Sequence, residues 1–167
     1  MSHIERTLIL FKPDSIQRGI VGEIITRFER VGLKIVGTKM LAPDAEHYAK
    51  HYEGVGKVLT RHGETVYNNA LAMMDDGPVI ALVLEGVEAA EIVRKIVGAT
   101  EPKSAAPGTI RGDYAHMSYG HGDEVNKALP NIVHASGNSE EAAQEIPLWF
   151  NDDELYDYGV LHEKFTR

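Results

Sequence analysis

In the stretch "LPNIVHASGNSEEAAQEIPLWF" (129–150), His134 follows an apolar pair and precedes a run of small polar residues. Asn138 or Ser139 can cap a helix, and Glu141 stands three residues after Asn138 in the manner of a capping box. Ala142, Ile146 and Trp149 then recur at helical spacing. The pattern places His134 in the turn leading into an amphipathic helix. An imidazole there can face solvent beside backbone N–H groups that favour anions. A buried histidine bonded to a carbonyl leaves the same pattern.

Several cations and hydroxyls fall where elements end. Lys12 closes the first apolar run, Arg94 lies late in a helix that stops near Gly98, Thr100 follows it, and Arg111 sits in the glycine-bounded turn "PGTIRGD". Each alone reads as an ordinary solvated charge; together they suggest phosphate binding. The stretch "GVGKV" around Lys57 resembles the end of a Walker A loop but fails on spacing. His51 stands where that motif needs its first glycine, and Val58 where it needs Ser or Thr. His47 and His51 are four apart, as two ligands on one helix face would be, but no third ligand is indicated, and an exposed helix face accounts for them better.

The elements that must position these groups alternate. "TLILF" (7–11) reads as a buried strand stopped by Lys12-Pro13-Asp14, and "RGIVGEIITRFERVG" as a helix with Ile20, Ile24, Ile25 and Phe28 on one face and Gly32 as its stop. "LKIVGTKMLA" (33–42) alternates as a half-buried strand does. Helices are expected over Ala45 to Tyr52 and Thr60 to Met74, with 53–57 as a loop between them. A strand follows in "VIALVLEG", then a helix from Ala89 to Val97, a turn-rich segment over 101–113, and a strand in "YAHMSYG" (114–120). The order suggests a two-layer α/β sandwich, of which the split βαβ of ferredoxin type is one form.

Composition narrows the function. The 167 residues are 43% hydrophobic, enough for one well-filled core, so a single domain is expected. A net charge of −8 argues against a surface that coats nucleic acid, so any phosphate site must be compact. The absence of cysteine excludes disulfides and thiolate metal sites and suits a reducing compartment. The N-terminal apolar run ends after four residues, unlike a signal peptide, and no segment approaches a membrane span, so a cytoplasmic protein is expected.

Over nearly its whole length the sequence resembles the nucleoside diphosphate kinase family. The residues that carry the resemblance are "ERTLILFKPD" (5–14), "RGIVGEIITRFERVGLKIVG" (18–37), "HYEG" (51–54), "GPVIALVLEG" (77–86), "PGTIRGD" (107–113) and "NIVHASGNSEEAAQEIPLWF" (131–150). The resemblance implies one domain over 1–167, an α+β sandwich of ferredoxin-like split βαβ type with a four-stranded antiparallel sheet and flanking helices. It implies a ping-pong phosphotransferase in which a nucleoside triphosphate gives its γ-phosphate to His134 and a nucleoside diphosphate collects it. A neutral imidazole is nucleophilic near pH 7, and its phosphoramidate keeps a high transfer potential.

By the family's pattern Glu145 accepts from the other ring nitrogen, supported by Ser136. Arg94, Thr100 and Arg111 form the phosphate clamp, Lys12 contacts ribose and phosphates, Asn131 holds the ribose, and Tyr52 lines the reacting centre. Mg²⁺ is the implied cofactor, carried on the nucleotide phosphates rather than by protein ligands. The implied partners are nucleoside di- and triphosphates and further copies of the chain, in a homo-oligomer built from dimers: a dimer, tetramer or hexamer. No membrane or nucleic acid is expected.

The chain departs from the pattern in three places. The segment at 53–70 is longer than usual and offers Val66 or Tyr67 where relatives stack the base on phenylalanine. An insertion at about 114–130 replaces a short connection, and Gly137 stands where many relatives carry Asp. A nucleotide-sensing module and an inactive scaffold are the rival functions, and neither would become phosphorylated.

Overall fold

The structure, a computed structural model, describes residues 3–167. Four strands, β1 (Ile4–Phe11), β2 (Lys34–Leu41), β3 (Val79–Val87) and β4 (Val133–Ala135), form one sheet in the order β2-β3-β1-β4. Every pairing is antiparallel. The helices between β1 and β2 are α1 (Pro13–Gln17) and α2 (Val21–Arg30). Between β2 and β3 come α3 (Ala45–Ala49), α4 (Val58–His62) and α5 (Glu64–Met74). After β3 follow α6 (Ala89–Val97), α7 (Ile110–Tyr114) and α8 (Tyr119–Glu124), and after β4 come α9 (Ser139–Trp149) and α10 (Glu163–Thr166). This is the split βαβ order, with β1 and β3 central.

The central strands explain why their sequences run apolar without alternation. Ile9 and Phe11 of β1, with Leu82 and Leu84 of β3, pack under α2 and α6 against Ile24, Phe28, Val93 and Val97. Leu8 and Leu10, with Ala81 and Val83, face the other way and meet Tyr48, Met74, Ala142, Ile146 and Trp149. A strand buried on both faces has no solvent side to record. Helices therefore cover both faces, one layer more than the two expected.

Four local expectations are corrected. "YAHMSYG" is not a strand: α7 ends at Tyr114, and Ser118 caps α8 by accepting the His121 N–H at 3.2 Å. The fourth strand is instead the three-residue β4, which carries His134 opposite Leu10, so His134 lies on a strand and not in a turn. The helix expected from Thr60 to Met74 is broken into α4 and α5 at Gly63, whose φ of +88° only glycine adopts freely. The loop expected at 53–57 is partly helical as well, because Lys50–Val55 continues α3 as a π-type turn. Asn138 does cap α9, its side chain accepting the Glu141 N–H at 2.8 Å. The Glu141 carboxylate closes on the Gly137 N–H at 2.9 Å instead of completing the capping box. Pro147 lies inside α9 at an exposed position, and the helix runs through it to Trp149.

Candidate active site

β1 delivers Lys12 to the end of the sheet, and Pro13 starts α1 with its missing N–H at a position that needs none. The Lys12 backbone N–H donates to Ile132 O at 3.0 Å, and the Asp14 carboxylate accepts the Ile132 N–H at 3.0 Å. Between these bonds Ile132 has φ +77°, and the Val133 N–H reaches back to Asn131 O at 2.9 Å. That is a γ-turn of the rare positive-φ kind, strained for a β-branched residue and held only because its surroundings over-determine it.

Arg111 supplies the rest of the restraint. Its guanidinium donates to Asn131 O (3.1 Å), Gly98 O (3.2 Å) and Val133 O (2.7 Å). Three of its five N–H donors are thereby used, and one on each terminal nitrogen remains. The α7 turn that carries it depends on Gly112, where a Cβ would stand 2.1 Å from Ala106 O.

The pinned turn presents the Asn131 side chain, whose Oδ1 accepts from Lys12 Nζ at 2.7 Å and whose Nδ2 donates to Thr100 O at 2.9 Å. Lys12, Thr100, Arg111 and Asn131 are thus brought together. Arg94, on the last turn of α6, adds its charge to theirs and forms no ion pair among the described residues. Burial, with the nearby Arg111 charge, lowers the Lys12 ammonium to about 8, although Asp14 opposes this. Burial, with the Arg94 charge, lowers the Arg111 guanidinium to about 10. Such crowding of cations, short of carboxylate partners, creates a demand for anions.

A second group sits on β4 and α9. His134 Nε2 lies 2.9 Å from Glu145 Oε1, with the oxygen off the ring N–H axis, so ion-pair proximity is met before good hydrogen-bond alignment. The other oxygen of Glu145 accepts from Ser136 Oγ at 2.6 Å, and that hydroxyl in turn accepts the Leu8 N–H at 3.2 Å. Burial would raise the Glu145 carboxyl, but the neighbouring His134 and His51 rings and the Ser136 hydroxyl outweigh it and hold it below the ordinary carboxylate value. Tyr52 turns a buried hydroxyl without a partner toward the same region, its phenol pushed up by burial.

His51 is the residue the sequence reading missed. It is 2% exposed, not on a solvated helix face, and its ring stands edge-on to His134 with centroids 4.5 Å apart. Its Nδ1 accepts from Trp149 Nε1 at 3.2 Å, and burial lowers it to about 3, so it is neutral. Tyr48, His51 and Tyr52 share one helical stripe, and that aromatic spacing was the signal that His51 turns inward.

Val66 and Tyr67 stand on α5, Val66 exposed, and neither makes a hydrogen bond or ring contact to the groups above. Among the described residues, the one cluster with metal-ligand spacing is His51, His134 and Glu145. Two imidazoles and one carboxylate do not fit Mg²⁺, which takes oxygen ligands, so this chain's own residues form no Mg²⁺ cage there.

The family model described as nucleoside diphosphate kinase matches residues 5–155. The nucleoside diphosphate kinase of Pyrococcus horikoshii is 49% identical over 168 residues, covering 100% of this chain and 98% of the relative. That of Borreliella burgdorferi is 45% identical over 155 residues, 93% of this chain and 92% of the relative. A solved structure described as a transition state mimic of the Borrelia burgdorferi enzyme with bound vanadate and ADP superposes with a TM-score of 0.94 at 44% identity, over 98% of this chain and 96% of that one. The Halobacterium salinarum enzyme in complex with CDP gives a TM-score of 0.79 at 38% identity, over 96% of each chain. With the family model matching most of the chain and relatives this similar along its length, the protein belongs to the nucleoside diphosphate kinase family.

Proposed function

We propose that this chain transfers the γ-phosphate of a nucleoside triphosphate to a nucleoside diphosphate through a phosphohistidine on His134. One observation carries the reading: Glu145, itself held by Ser136, addresses Nε2 of His134, which leaves the Nδ1 lone pair as the nucleophile. Nδ1 attacks the γ-phosphorus, the bond to the β-phosphate oxygen breaks, and the diphosphate departs. A β-phosphate oxygen of the second diphosphate then attacks the same phosphorus, the P–N bond breaks, and Nδ1 recovers its lone pair. The vanadate and ADP in the Borrelia burgdorferi relative are what a family built for phosphoryl transfer would bind.

In this reading Arg94, Arg111, Thr100 and Lys12 bind and orient the phosphates, and Asn131 with Lys12 addresses the ribose. The orphaned Tyr52 hydroxyl donates to a phosphate oxygen, and Val66 or Tyr67 offers the base an apolar face. Positioning and positive charge dominate such a transfer. Phosphate charge would be neutralised by Mg²⁺ carried on the nucleotide, with the phosphates rather than this chain's own side chains as its ligands. The protein is taken to be a cytoplasmic homo-oligomer built from dimers. The cysteine-free sequence supports the first of these, and the exposed Val31 and Met40 side chains the second. Among the described residues no helix is long and apolar enough to cross a membrane.

Incubation with ATP labelled at the γ-position tests the mechanism. The parent protein is expected to acquire acid-labile, base-stable phosphate that a diphosphate discharges, and His134→Gln is expected to acquire none while still binding ADP. Label persisting in the variant would place the nucleophile elsewhere.

A further inference from the structure

The wall behind His134 contains a group the transfer itself does not use. His51, Glu145 and Trp149 form a buried chain in which Glu145 Oε1 is 2.9 Å from His134 Nε2 and 3.8 Å from His51 Nδ1, while the indole N–H of Trp149 donates to that same His51 nitrogen at 3.2 Å. His51 and Glu145 are each 2% exposed, so water does not compete for these atoms. The Trp149 bond sets the His51 tautomer, since a nitrogen that accepts cannot carry the proton. His51 therefore offers Glu145 a lone pair and no donor.

Glu145 and Trp149 are one turn apart on α9, so their side chains share a face. With the His51 acceptor removed, the indole N–H loses its partner while Glu145 Oε1, 3.8 Å from the nitrogen it had bonded, is a carboxylate oxygen on the same helix face. A buried N–H does not stay unpaired at low cost, so the indole would turn to that oxygen and compete with His134 for it.

We infer that His51 is a positioning residue for the phosphohistidine: by accepting the Trp149 N–H it keeps that donor off Glu145 and leaves the carboxylate to His134 alone. Its edge-on ring, at 86° to the imidazole of His134, closes the space into which that imidazole could otherwise tip. The inference rests on His134 being the nucleophile. What His51 protects is the distinction between the two nitrogens: a proton fixed on Nε2 by an undivided Glu145 keeps Nδ1 unprotonated for attack, and a shared carboxylate lets the other tautomer in. Substrate contacts lie elsewhere, on Lys12, Arg94, Arg111 and Asn131, so nucleotide affinity should be indifferent to His51.

The test compares three variants with the parent by single-turnover phosphorylation, ADP affinity and the ¹⁵N spectrum of the His134 ring. His51→Phe keeps a ring and loses the acceptor; His51→Leu takes its place where the phenylalanine variant does not fold. Phosphorylation is expected to slow by about tenfold or more with ADP affinity within about twofold, and the ¹⁵N shifts of His134 should move from one tautomer toward a mixture. His51→Asn puts an amide oxygen near the lost nitrogen, which accepts the indole N–H, and should return the rate to within about threefold of the parent. His51→Phe combined with Trp149→Phe removes the competing donor and should recover part of the loss, which repair of a packing defect would not predict. A rate within about threefold of the parent in His51→Phe overturns the inference, as does equal impairment in the asparagine and double variants. The His134→Gln control separates the two claims: label on that variant defeats the mechanism itself, whereas an unlabelled control with silent His51 variants defeats only the role of His51.

Discussion

Lys12 makes the site sensitive to pH on the alkaline side. Its ammonium, buried and beside Arg111, titrates at about 8, and bound phosphates would restore the charge that burial disfavours. Nucleotide affinity is therefore expected to be full below pH 8 and to fall as pH rises through that value, with proton uptake on binding. Calorimetric titration with ADP in buffers of different ionisation enthalpy, between about pH 7 and 9.5, measures both, and Lys12→Gln should abolish the uptake. The two arginines should differ in kind. Arg111→Ala strands three backbone carbonyls and frees the strained Ile132 turn, so it should cost about 3 kcal/mol of stability in addition to activity. Arg94→Ala removes a cation that pairs with no carboxylate among the described residues, so kcat/KM should fall by tenfold or more, about 1.4 kcal/mol, with the melting temperature nearly unmoved. If both variants melt with the parent, Arg111 does not hold the turn. Residue types at element ends made Lys12, Arg94, Thr100 and Arg111 legible in the sequence. That Arg111 spends most of its donors on backbone was not legible, because those carbonyls come from two segments distant in sequence, Gly98 and the turn at Asn131 to Val133.

The helices α2 and α6 and the central strands could be read from the chain because each records its own burial over at least eight residues, the helices by their period and the strands by an unbroken apolar run. β4 could not, since three residues are too few for any period, and only its pairing with Leu10 and its neighbours defines it. The segment 114–130 shows the same limit. Its aromatic and polar alternation imitates a strand, yet the Ser118 cap makes it α8. Both parts of this segment are tied to neighbouring elements. The Tyr119 N–H donates to Glu101 at 2.9 Å beside Thr100, and Asn126 Oδ1 accepts from Asn69 of α5 at 3.1 Å. Between α5 and α8 a cleft of about 600 Å³ opens, bordered by Asn69, Met73, Met117 and His121. Val66, Asn69 and Met73 lie on one stripe of α5, so this cleft continues the face proposed above to hold the base. Replacing Gly120 to Ala128 by a short Gly-Ser link should therefore raise nucleotide KM by about threefold or more with kcat held, because the change removes binding that substrate and transition state share. An unchanged KM in a folded variant would make the insertion a solvated excursion.

At the scale of the whole molecule, the two cores are joined through the sheet, and the C-terminal segment is strapped across β2 and β3 by charge. Glu85 of β3 receives Arg6 at 2.8 Å, Lys34 at 3.0 Å and Arg167 at 2.8 Å, while Lys34 also donates to Tyr158 O at 2.9 Å and the Tyr156 N–H donates to Val36 O at 2.7 Å. Burial would raise the Glu85 carboxyl, but the three cations outweigh it and lower it from 4.5 to about 2. The folded value lies below the unfolded one, so the stabilisation is present in full above pH 4.5 and is lost as pH falls toward 2. After a discount for the solvent that reaches Arg6 and Arg167, the cluster should contribute about 2 kcal/mol at neutral pH. Glu85→Gln should therefore unfold at lower urea concentration at pH 7, and its gap to the parent should narrow as pH falls below 4.5 and close only at about pH 2, where the parent's own carboxyl takes up its proton in the folded state. A variant whose acid profile runs parallel to the parent's would assign the acid sensitivity to another carboxylate, of which Glu145 beneath His134 is the next buried one.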